Sequence, residues 1–358
     1  MSGLSREMII HPGETIKEVL EERGMSQLEL SLRTGVSAKH ISTVLNGEKN
    51  ISVTFAKKLE YALGIDATFW INLQTEYDKE ILEFDEFHSI SKEEIEVYKD
   101  KKNIFDFLFT QKIIPVCNQI EQKILELRKY LSVSNLLSIP EIVSTGAFRA
   151  QTKVTVDPYV LFTWQKLCES YTQNISVEAL PKEEQQSKLE SLCQEIKKLS
   201  LLSQEVFIPK LQQIFASCGI AFSVIPSFKG APVQGFIKTT DSDRTILCMT
   251  YRQKKADIFW FTLFHEIGHF LNGDTKQKFI DFESVENAIE TRANKFAQNI
   301  LIKSDDYKDF VSHKNFSLPA INTFSKKQNI LPTITIGRLQ KDALLKWSDF
   351  SGDVVKYE

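Results

Sequence analysis

The sequence lacks the features of a disulfide-stapled or membrane-spanning protein. Its 358 residues include five cysteines, and no two of them have the C-x-x-C spacing of a cysteine zinc site or redox motif. No apolar run approaches the roughly 18–20 residues that cross a bilayer, and residues 1–7 contain no apolar signal core. These absences argue against a disulfide framework and a membrane partner, and they predict a cytoplasmic protein in a reducing compartment.

The chain also has little net charge, because 44 basic and 47 acidic side chains leave −3 at pH 7. With 42% hydrophobic and 25% charged residues, the composition is that of an ordinary globular protein. The charge balance gives no global sign of nucleic-acid binding, so any such activity must come from a local patch. The length predicts two or three domains rather than one.

What the sequence does contain is a polar motif inside an apolar helix. Residues 259–271 are mostly apolar but include His265-Glu266-x-x-His269. Residues four apart share one face of a helix, so both histidines can point at one metal ion while Glu266 reaches a water on it. Buried polar groups are costly without partners. We therefore predict a zinc-hydrolase helix with Glu266 as the general base, against the alternative of two chance or structurally satisfied histidines.

A third ligand is expected because catalytic zinc usually has three protein ligands and one open position. Residues 286–297 have an apolar face at helical spacing. Glu290 borders that face, one turn before Ala293, and is the predicted third ligand. Glu286, one turn earlier, is the alternative, and a solvated helix charge is the ordinary fate of either glutamate.

Residues 1–80 are predicted to form a series of short helices, each bounded by residues that typically begin or end a helix. Ser26 followed by Glu29 is a capping box, and Gly35 and Gly64 are helix stops. The apolar side of the second helix is predicted to consist of Leu28, Leu30 and Leu32. Two helices joined by a tight turn containing glycine, the second short and polar, are typical of a helix-turn-helix.

The outer face of this predicted helix-turn-helix suits contacts to phosphates and base edges of double-stranded DNA. The candidate contacts are Gln27, Ser37, Lys39, His40, Ser42, Thr43 and Lys49. Residues 31–58 contain five basic side chains and one acidic, whereas residues 1–80 contain nine basic and twelve acidic. The segment is thus basic at the predicted binding face and acidic elsewhere, as a groove binder requires. The alternative is a helical protein-interaction module with a solvated basic edge.

The N-terminal segment resembles the lambda-repressor-like class and, within it, the HigA-like antitoxins. The motifs that carry this resemblance are His11-Pro12-Gly13-Glu14, Ser26-Gln27-x-Glu29-Leu30, Gly35-Val36-Ser37 and Leu45-Asn46-Gly47. Ser31 departs from the alanine that is usual where the two helices meet, but serine is small enough to fit.

The C-terminal segment resembles the ImmA/IrrE-type metallopeptidases. The resemblance rests on Phe261-Thr262-Leu263-x-His265-Glu266-Ile267-Gly268-His269 and on Glu290-x-x-Ala293-Asn294-x-Phe296-Ala297. It implies that His265, His269 and Glu290 bind Zn²⁺ and that Glu266 is the catalytic base.

Together these observations predict a mainly α protein with a small β-sheet (α+β). Residues 1–80 would be a lambda-repressor-like helix-turn-helix domain, 81–210 a helical linker, and 211–358 a zincin-like metallopeptidase domain. The predicted function is a sequence-specific, DNA-binding transcriptional regulator, acting as a homodimer, whose peptidase domain cleaves a regulatory protein. One alternative is a non-enzymatic HigA-like antitoxin or repressor that binds a toxin and whose metal domain is structural or sensory. A weaker alternative is a stand-alone protease whose N-terminal module docks proteins.

Overall fold

A computed structural model describes residues 6–145, 157–228, 234–240, 243–274 and 285–357, except for the side chains of residues 144, 145 and 285–287. In these ranges the protein is mainly helical with one small sheet, which confirms the predicted fold class. The chain divides into two compact units, Met1–Glu96 with Cys117–Leu125 and Val97–Val116 with Glu126–Glu358. None of the described helices is both long enough and apolar enough to cross a bilayer.

The first unit begins with five α-helices, and the predicted cap and stop residues lie at the helix ends. They are α1 (Pro12–Glu22), α2 (Gln27–Thr34), α3 (Ala38–Leu45), α4 (Val53–Leu63) and α5 (Ala67–His88). The Ser26 hydroxyl accepts a hydrogen bond from the Glu29 amide at 3.1 Å, as the capping box predicts. Gly35 and Gly64 end α2 and α4 with φ of 61° and 66°, a left-handed conformation that favours glycine.

The core of this unit is formed by residues at helical spacing, including the fully buried Leu30, Ile41 and Trp70. Leu28 and Leu32, however, are 65% and 77% exposed. The prediction that they share an apolar side with Leu30 is therefore wrong. Side chains two apart on a helix do not face the same way, so burial of Leu30 turns its two leucine neighbours outward.

The His-Pro-Gly segment at the start of α1 is built into a close contact with α3. His11 caps the helix, since its Nδ1 accepts a hydrogen bond from the Gly13 amide at 2.9 Å. A Cβ at Gly13 would overlap the carbonyl oxygen of Val44. Glycine is thus required because the backbones of α1 and α3 approach too closely for any side chain.

The rest of the chain contains twelve further α-helices and three strands among the residues the structure describes. The helices before the sheet are α6 (Lys92–Asp100), α7 (Lys102–Thr110), α8 (Ile120–Leu131), α9 (Ile139–Thr145), α10 (Pro158–Thr172), α11 (Lys182–Lys198) and α12 (Gln204–Ser217). The strands are β1 (Ile220–Val224), β2 (Gly235–Thr239) and β3 (Thr245–Met249). After the sheet come α13 (Ala256–Leu271), α14 (Val285–Leu301), α15 (Ser304–Ser312), α16 (Leu318–Gln328) and α17 (Pro332–Lys341).

The sheet has the strand order β1-β3-β2, with β3 fully buried in the middle. β1 is parallel to β3 with Ile220 opposite Thr245, and β2 is antiparallel to β3 with Gly235 opposite Met249. β2 lies against α13. The contact is so close that a Cβ at Gly235 would be 2.9 Å from Cγ of Glu266. The sheet therefore presents an edge strand beside the helix that carries the H-E-x-x-H motif.

The core of the second unit joins α11, α12, the sheet and α13. The polar stretch 182–198 forms α11, which buries Leu189, Cys193 and Ile196 in this core. Gln186 Nε2 also donates a hydrogen bond to the Phe270 carbonyl, at 2.6 Å. The core therefore extends upstream of residue 211.

The C-terminal segment packs against the start of α13. The Val355 carbonyl accepts a hydrogen bond from the Ala256 amide at 3.0 Å. The Tyr357 hydroxyl accepts one from Trp260 Nε1 at 2.8 Å, and both rings are buried. Residues 355–357 thus support the first two turns of the same helix.

The buried Lys197 on α11 makes the stability of this unit depend on pH. Its side chain is buried, and burial together with the charge of Lys303 lowers its pKa from 10.5 to about 8. A folded-state pKa below the unfolded one means that the unfolded chain binds more protons between pH 8 and 10.5, so stability rises with pH in that window. We expect Lys197→Met to raise the free energy of unfolding by about 1–3 kcal/mol at neutral pH. Calorimetry across this window should show the gain shrinking as the pH rises; a gain independent of pH would contradict the assignment.

Candidate metal centre and DNA-binding face

The H-E-x-x-H motif lies in the third and fourth turns of α13, as the sequence predicts. The helix is held by apolar side chains that are buried in the core of the second unit, namely Phe259, Trp260, Leu263, Phe264, Ile267 and Phe270. Gly268 faces α14, and a Cβ there would be 3.2 Å from Cα of Ala293. This close helix contact brings Glu290 of α14 next to the two histidines.

His265, His269 and Glu290 each offer one ligand atom, and these atoms lie within 4.8 Å of one another. The two Nε2 atoms of His265 and His269 are 2.9 Å apart. Each of them is 3.3 Å from a carboxylate oxygen of Glu290, His265 from Oε2 and His269 from Oε1. Two imidazole nitrogens and a carboxylate thus converge on one point, an arrangement that can hold a metal ion.

The surroundings of Glu290 and Glu266 shift the pKa values of these two carboxylates in opposite directions. Hydrogen bonds with His265 and His269 lower the pKa of Glu290 to about 2. Burial raises the pKa of Glu266, although the neighbouring histidines partly offset it. Burial lowers the pKa of His269, but its hydrogen bond with Glu290 and the nearby carboxylates outweigh this and leave its pKa raised. At neutral pH Glu290 is the ionised partner of the histidines, while Glu266 is the more basic carboxylate.

In the first unit, α2 and α3 are joined by the turn Gly35-Val36-Ser37. Of the candidate DNA contacts, the exposed ones are Gln27, Ser37, Lys39 and Lys49, and the half-buried ones are His40, Ser42 and Thr43. The turn is fixed by the Ser31 hydroxyl, which donates a hydrogen bond to the Val36 carbonyl at 2.5 Å. Serine therefore fits where the resemblance leads one to expect alanine, and it adds a hydrogen bond.

Three of the candidate side chains in and just before α3 also have local partners. The Ser37 hydroxyl caps α3 by accepting from the His40 amide at 3.3 Å. The Thr43 hydroxyl donates to the His40 carbonyl at 2.8 Å. The His40 ring packs edge-on against Phe55, with 5.6 Å between the centroids. Lys39 and Lys49 are the two exposed candidates that carry a positive charge, which suits them to contact a phosphate.

Comparison with known families assigns both ends of the chain. A helix-turn-helix family model matches residues 16–70, which include α2 and α3. A model of the IrrE N-terminal-like domain matches residues 229–315, which include His265, His269 and Glu290. The chain thus combines a helix-turn-helix segment with an IrrE-like segment. It is a helix-turn-helix DNA-binding regulator fused to an IrrE-like domain, and the two resemblances predicted from the sequence are confirmed.

Known relatives resemble only part of the chain. Virulence-associated protein I of Dichelobacter nodosus is 33% identical over 85 residues, which are 24% of this chain and 79% of that protein. Virulence-associated protein A' of the same organism is 36% identical over 69 residues, 19% of this chain and 60% of that protein.

Two solved structures also match a small part of the chain. An addiction module antidote protein of the HigA family from Coxiella burnetii is 32% identical, covering 20% of this chain and 79% of its own, with a TM-score of 0.19. A protein from Nostoc punctiforme, described as an antidote of a plasmid maintenance system, is 31% identical, covering 23% and 97%, with a TM-score of 0.20.

The IrrE-like domain contains two further polar contacts to the histidines that were not predicted from the sequence, although Asn294 belongs to the motif quoted above. Asn294 Oδ1 lies 3.0 Å from Nδ1 of His265, and Asp274 Oδ2 lies 3.5 Å from Nδ1 of His269. Asn294 is one turn after Glu290 on the same helix, so helical spacing could have indicated it. Asp274 follows the end of α13, where no periodicity applies. The side chain of Glu286, the alternative third ligand, lies outside the described residues.

Proposed function

We propose that the protein is a sequence-specific transcriptional regulator whose IrrE-like domain is a zinc-dependent peptidase that cleaves a regulatory protein. The observation that carries this proposal is the convergence of His265, His269 and Glu290 on one point. Glu266 follows His265 directly on α13 and interacts electrostatically with all three residues. Two histidines and one carboxylate form a ligand set of catalytic zinc sites, which leave one position open.

The surroundings of the triad fit zinc as well. Each histidine turns Nε2 toward the triad and has an oxygen acceptor close to Nδ1, so a proton on Nδ1 leaves the Nε2 lone pair for a metal. Ionised Glu290 adds negative charge beside them. When bound by these three residues, zinc would supply a Lewis acid that polarises the peptide carbonyl and activates water.

Glu266 supplies the proton chemistry in this proposal. Its carboxylate would accept a proton from the attacking water and deliver it to the amine of the leaving peptide. A general base works best when its pKa is near the working pH. The burial that raises the pKa of Glu266 therefore suits it to this role.

The edge strand β2 offers a place for an extended substrate. Gly235 of β2 lies against Glu266, so a peptide running along this edge would pass the base. Peptides that add a strand to a sheet edge bind through main-chain hydrogen bonds. An unstructured segment of a protein is thus the substrate form that the site best accommodates.

The peptidase proposal is tested by incubating the zinc-loaded protein with a proteome-derived peptide library and identifying cleaved bonds by mass spectrometry. We expect cleavage that stops when a chelator removes the metal and returns when zinc is restored. Cleavage that persists in the chelated protein would point to a contaminating protease and against the zinc site.

The DNA-binding face is tested through its exposed lysines. A DNA duplex selected from a random pool would serve as the operator. Because one helix-turn-helix reads one half-site, we expect a homodimer to bind a duplex that contains the half-site twice. Lys39→Ala and Lys49→Ala should each weaken binding and reduce the slope of log affinity against log salt by about 1. Lys79→Ala, an exposed lysine on α5, is the control. Slopes that stay unchanged in both test variants would exclude these lysines as phosphate contacts.

The second candidate is a non-enzymatic antitoxin-like repressor whose metal domain is structural or sensory. It is motivated by the His11 segment, which the HigA-like antitoxins share and which here makes the close contact between α1 and α3. This candidate requires a small toxin partner and no proteolysis. Co-expression with the product of the neighbouring gene, followed by purification of the complex, tests it. A protease whose N-terminal module only docks proteins would instead select no preferred DNA sequence.

A further inference from the structure

The imidazole of His269 lies between two carboxylates on opposite edges of its ring. Nε2 faces Glu290 inside the metal triad at 3.3 Å, whereas Nδ1 faces Asp274 Oδ2 at 3.5 Å. The other oxygen of Asp274 lies 3.5 Å from Nη2 of Arg292 on α14. His265 differs, because the group near its Nδ1 is the neutral amide of Asn294. Among the described residues, only His269 therefore has a charged acceptor beside its Nδ1.

The position of Asp274 is unfavourable for the stability of the fold. It follows Gly273, whose φ of 79° ends the last turn of α13, so its charge sits at the negative end of the helix dipole. Its side chain is only 8% exposed. Its Oδ2 makes no hydrogen bond of good geometry with any residue that the structure describes. Arg292 donates a hydrogen bond to Oδ1, so the cost in folding free energy comes from the buried Oδ2, which is left without one.

A cation bound at the metal triad would make the negative charge of Asp274 favourable. If Nε2 of His269 held a metal ion, the ring would lose electron density and its Nδ1 proton would become a stronger donor. A carboxylate behind a metal-bound histidine fixes its tautomer and ring orientation, and losing such a partner typically weakens metal binding about 10- to 100-fold. Asp274, whose Oδ2 lacks a hydrogen bond in the metal-free protein, is thus well placed to accept the Nδ1 proton of His269 in a metal-bound protein.

We propose that Asp274 is a positioning residue, which holds His269 with its proton on Nδ1 and its Nε2 directed to the metal. Arg292 restrains the second carboxylate oxygen of Asp274 from the same helix that supplies Glu290. This inference rests on the zinc site of the proposed function. It assigns a role in metal affinity to a residue outside the H-E-x-x-H motif and outside the third-ligand helix.

The test compares zinc affinity with the stability of the metal-free protein. Zinc dissociation constants of the full chain would be measured by competition with a chromogenic chelator, for wild type, Asp274→Asn and Asp274→Ala. We expect the constant to rise about 10- to 100-fold in Asp274→Ala. Asp274→Asn should fall between the two, because an amide oxygen still accepts the Nδ1 proton but carries no charge. The melting temperature of the metal-free variants should equal or exceed that of wild type.

Asp309→Asn is the matched control, since Asp309 also lies beside a histidine but on the exposed surface of α15, 4.0 Å from Nδ1 of His313. It should bind zinc as wild type does. The proposal fails if both Asp274 variants keep wild-type affinity. It also fails if the metal-free variants melt clearly lower, because Asp274 would then serve folding. A wild-type chain that binds no zinc would remove the proposed function together with this inference, whereas unchanged Asp274 variants would remove this inference alone.

Discussion

Replacing Glu266 with glutamine is expected to abolish peptide cleavage while leaving zinc and DNA binding intact. The amide has nearly the shape of the carboxylate but cannot take a proton from water. Glu266 is adjacent to the metal triad on α13 without belonging to it, so its loss should not release the metal. Loss of a general base typically lowers the rate by about 10²- to 10⁴-fold. The measurement is the cleavage rate of a peptide found in the library experiment, with zinc content and operator binding determined on the same preparation.

Glu195→Gln is the control for this substitution. It replaces a glutamate with glutamine as well, but on the exposed side of α11. It should cleave at the wild-type rate. If zinc-loaded Glu266→Gln cleaves as fast as wild type, Glu266 is not the base and the assigned mechanism is wrong. If it loses zinc as well, Glu266 contributes to metal binding rather than to proton transfer alone.

The second large effect is expected from Glu290→Ala, which should lose zinc. Wild type should retain about one zinc per chain after dialysis, as a single three-residue site implies. Removing Glu290 leaves two histidines and takes away the carboxylate that lies 3.3 Å from both Nε2 atoms. Because even an outer partner of a ligand is worth about 10- to 100-fold in affinity, loss of a ligand itself should cost more. Metal content by mass spectrometry and zinc affinity by competition measure it.

Glu286→Ala tests the choice between the two glutamates of α14. Glu286 lies one turn before Glu290 in the sequence, so both variants alter one acid on the same helix. We expect Glu286→Ala to keep its zinc. Zinc lost from Glu286→Ala and kept by Glu290→Ala would transfer the third-ligand role to Glu286. Absence of zinc from wild type, even after reconstitution, would favour the non-enzymatic repressor.

The parts of the fold that were predictable from the sequence are those governed by helical spacing and by local caps. His265 and His269 share a face because they are four residues apart, and Glu290 follows from its place on the apolar border of α14. Ser26 and Gly35 mark the ends of α2 because a hydroxyl satisfies the first amides and glycine accepts a positive φ. These rules act within one helix and need no knowledge of its neighbours.

Other features depend on how separate elements meet, and these were not predictable. Leu28 and Leu32 are apolar but face outward, since the choice of buried face on α2 is made by α3 and α4 rather than by the leucine pattern. The polar stretch that forms α11 contributes to the core through a few apolar positions and a hydrogen bond from Gln186 to α13. Asp274 reaches His269 only because the chain turns at Gly273. Sequence distance or composition does not reveal such contacts.

The contact between residues 355–357 and α13 affects how truncated versions of the protein should be interpreted. A deletion ending before Val355 would remove the acceptor of the Ala256 amide and the aromatic ring next to Trp260. Both losses fall on the helix that carries the histidines. Activity that disappears in such a deletion would report damage to the metal helix, not the loss of an independent tail function.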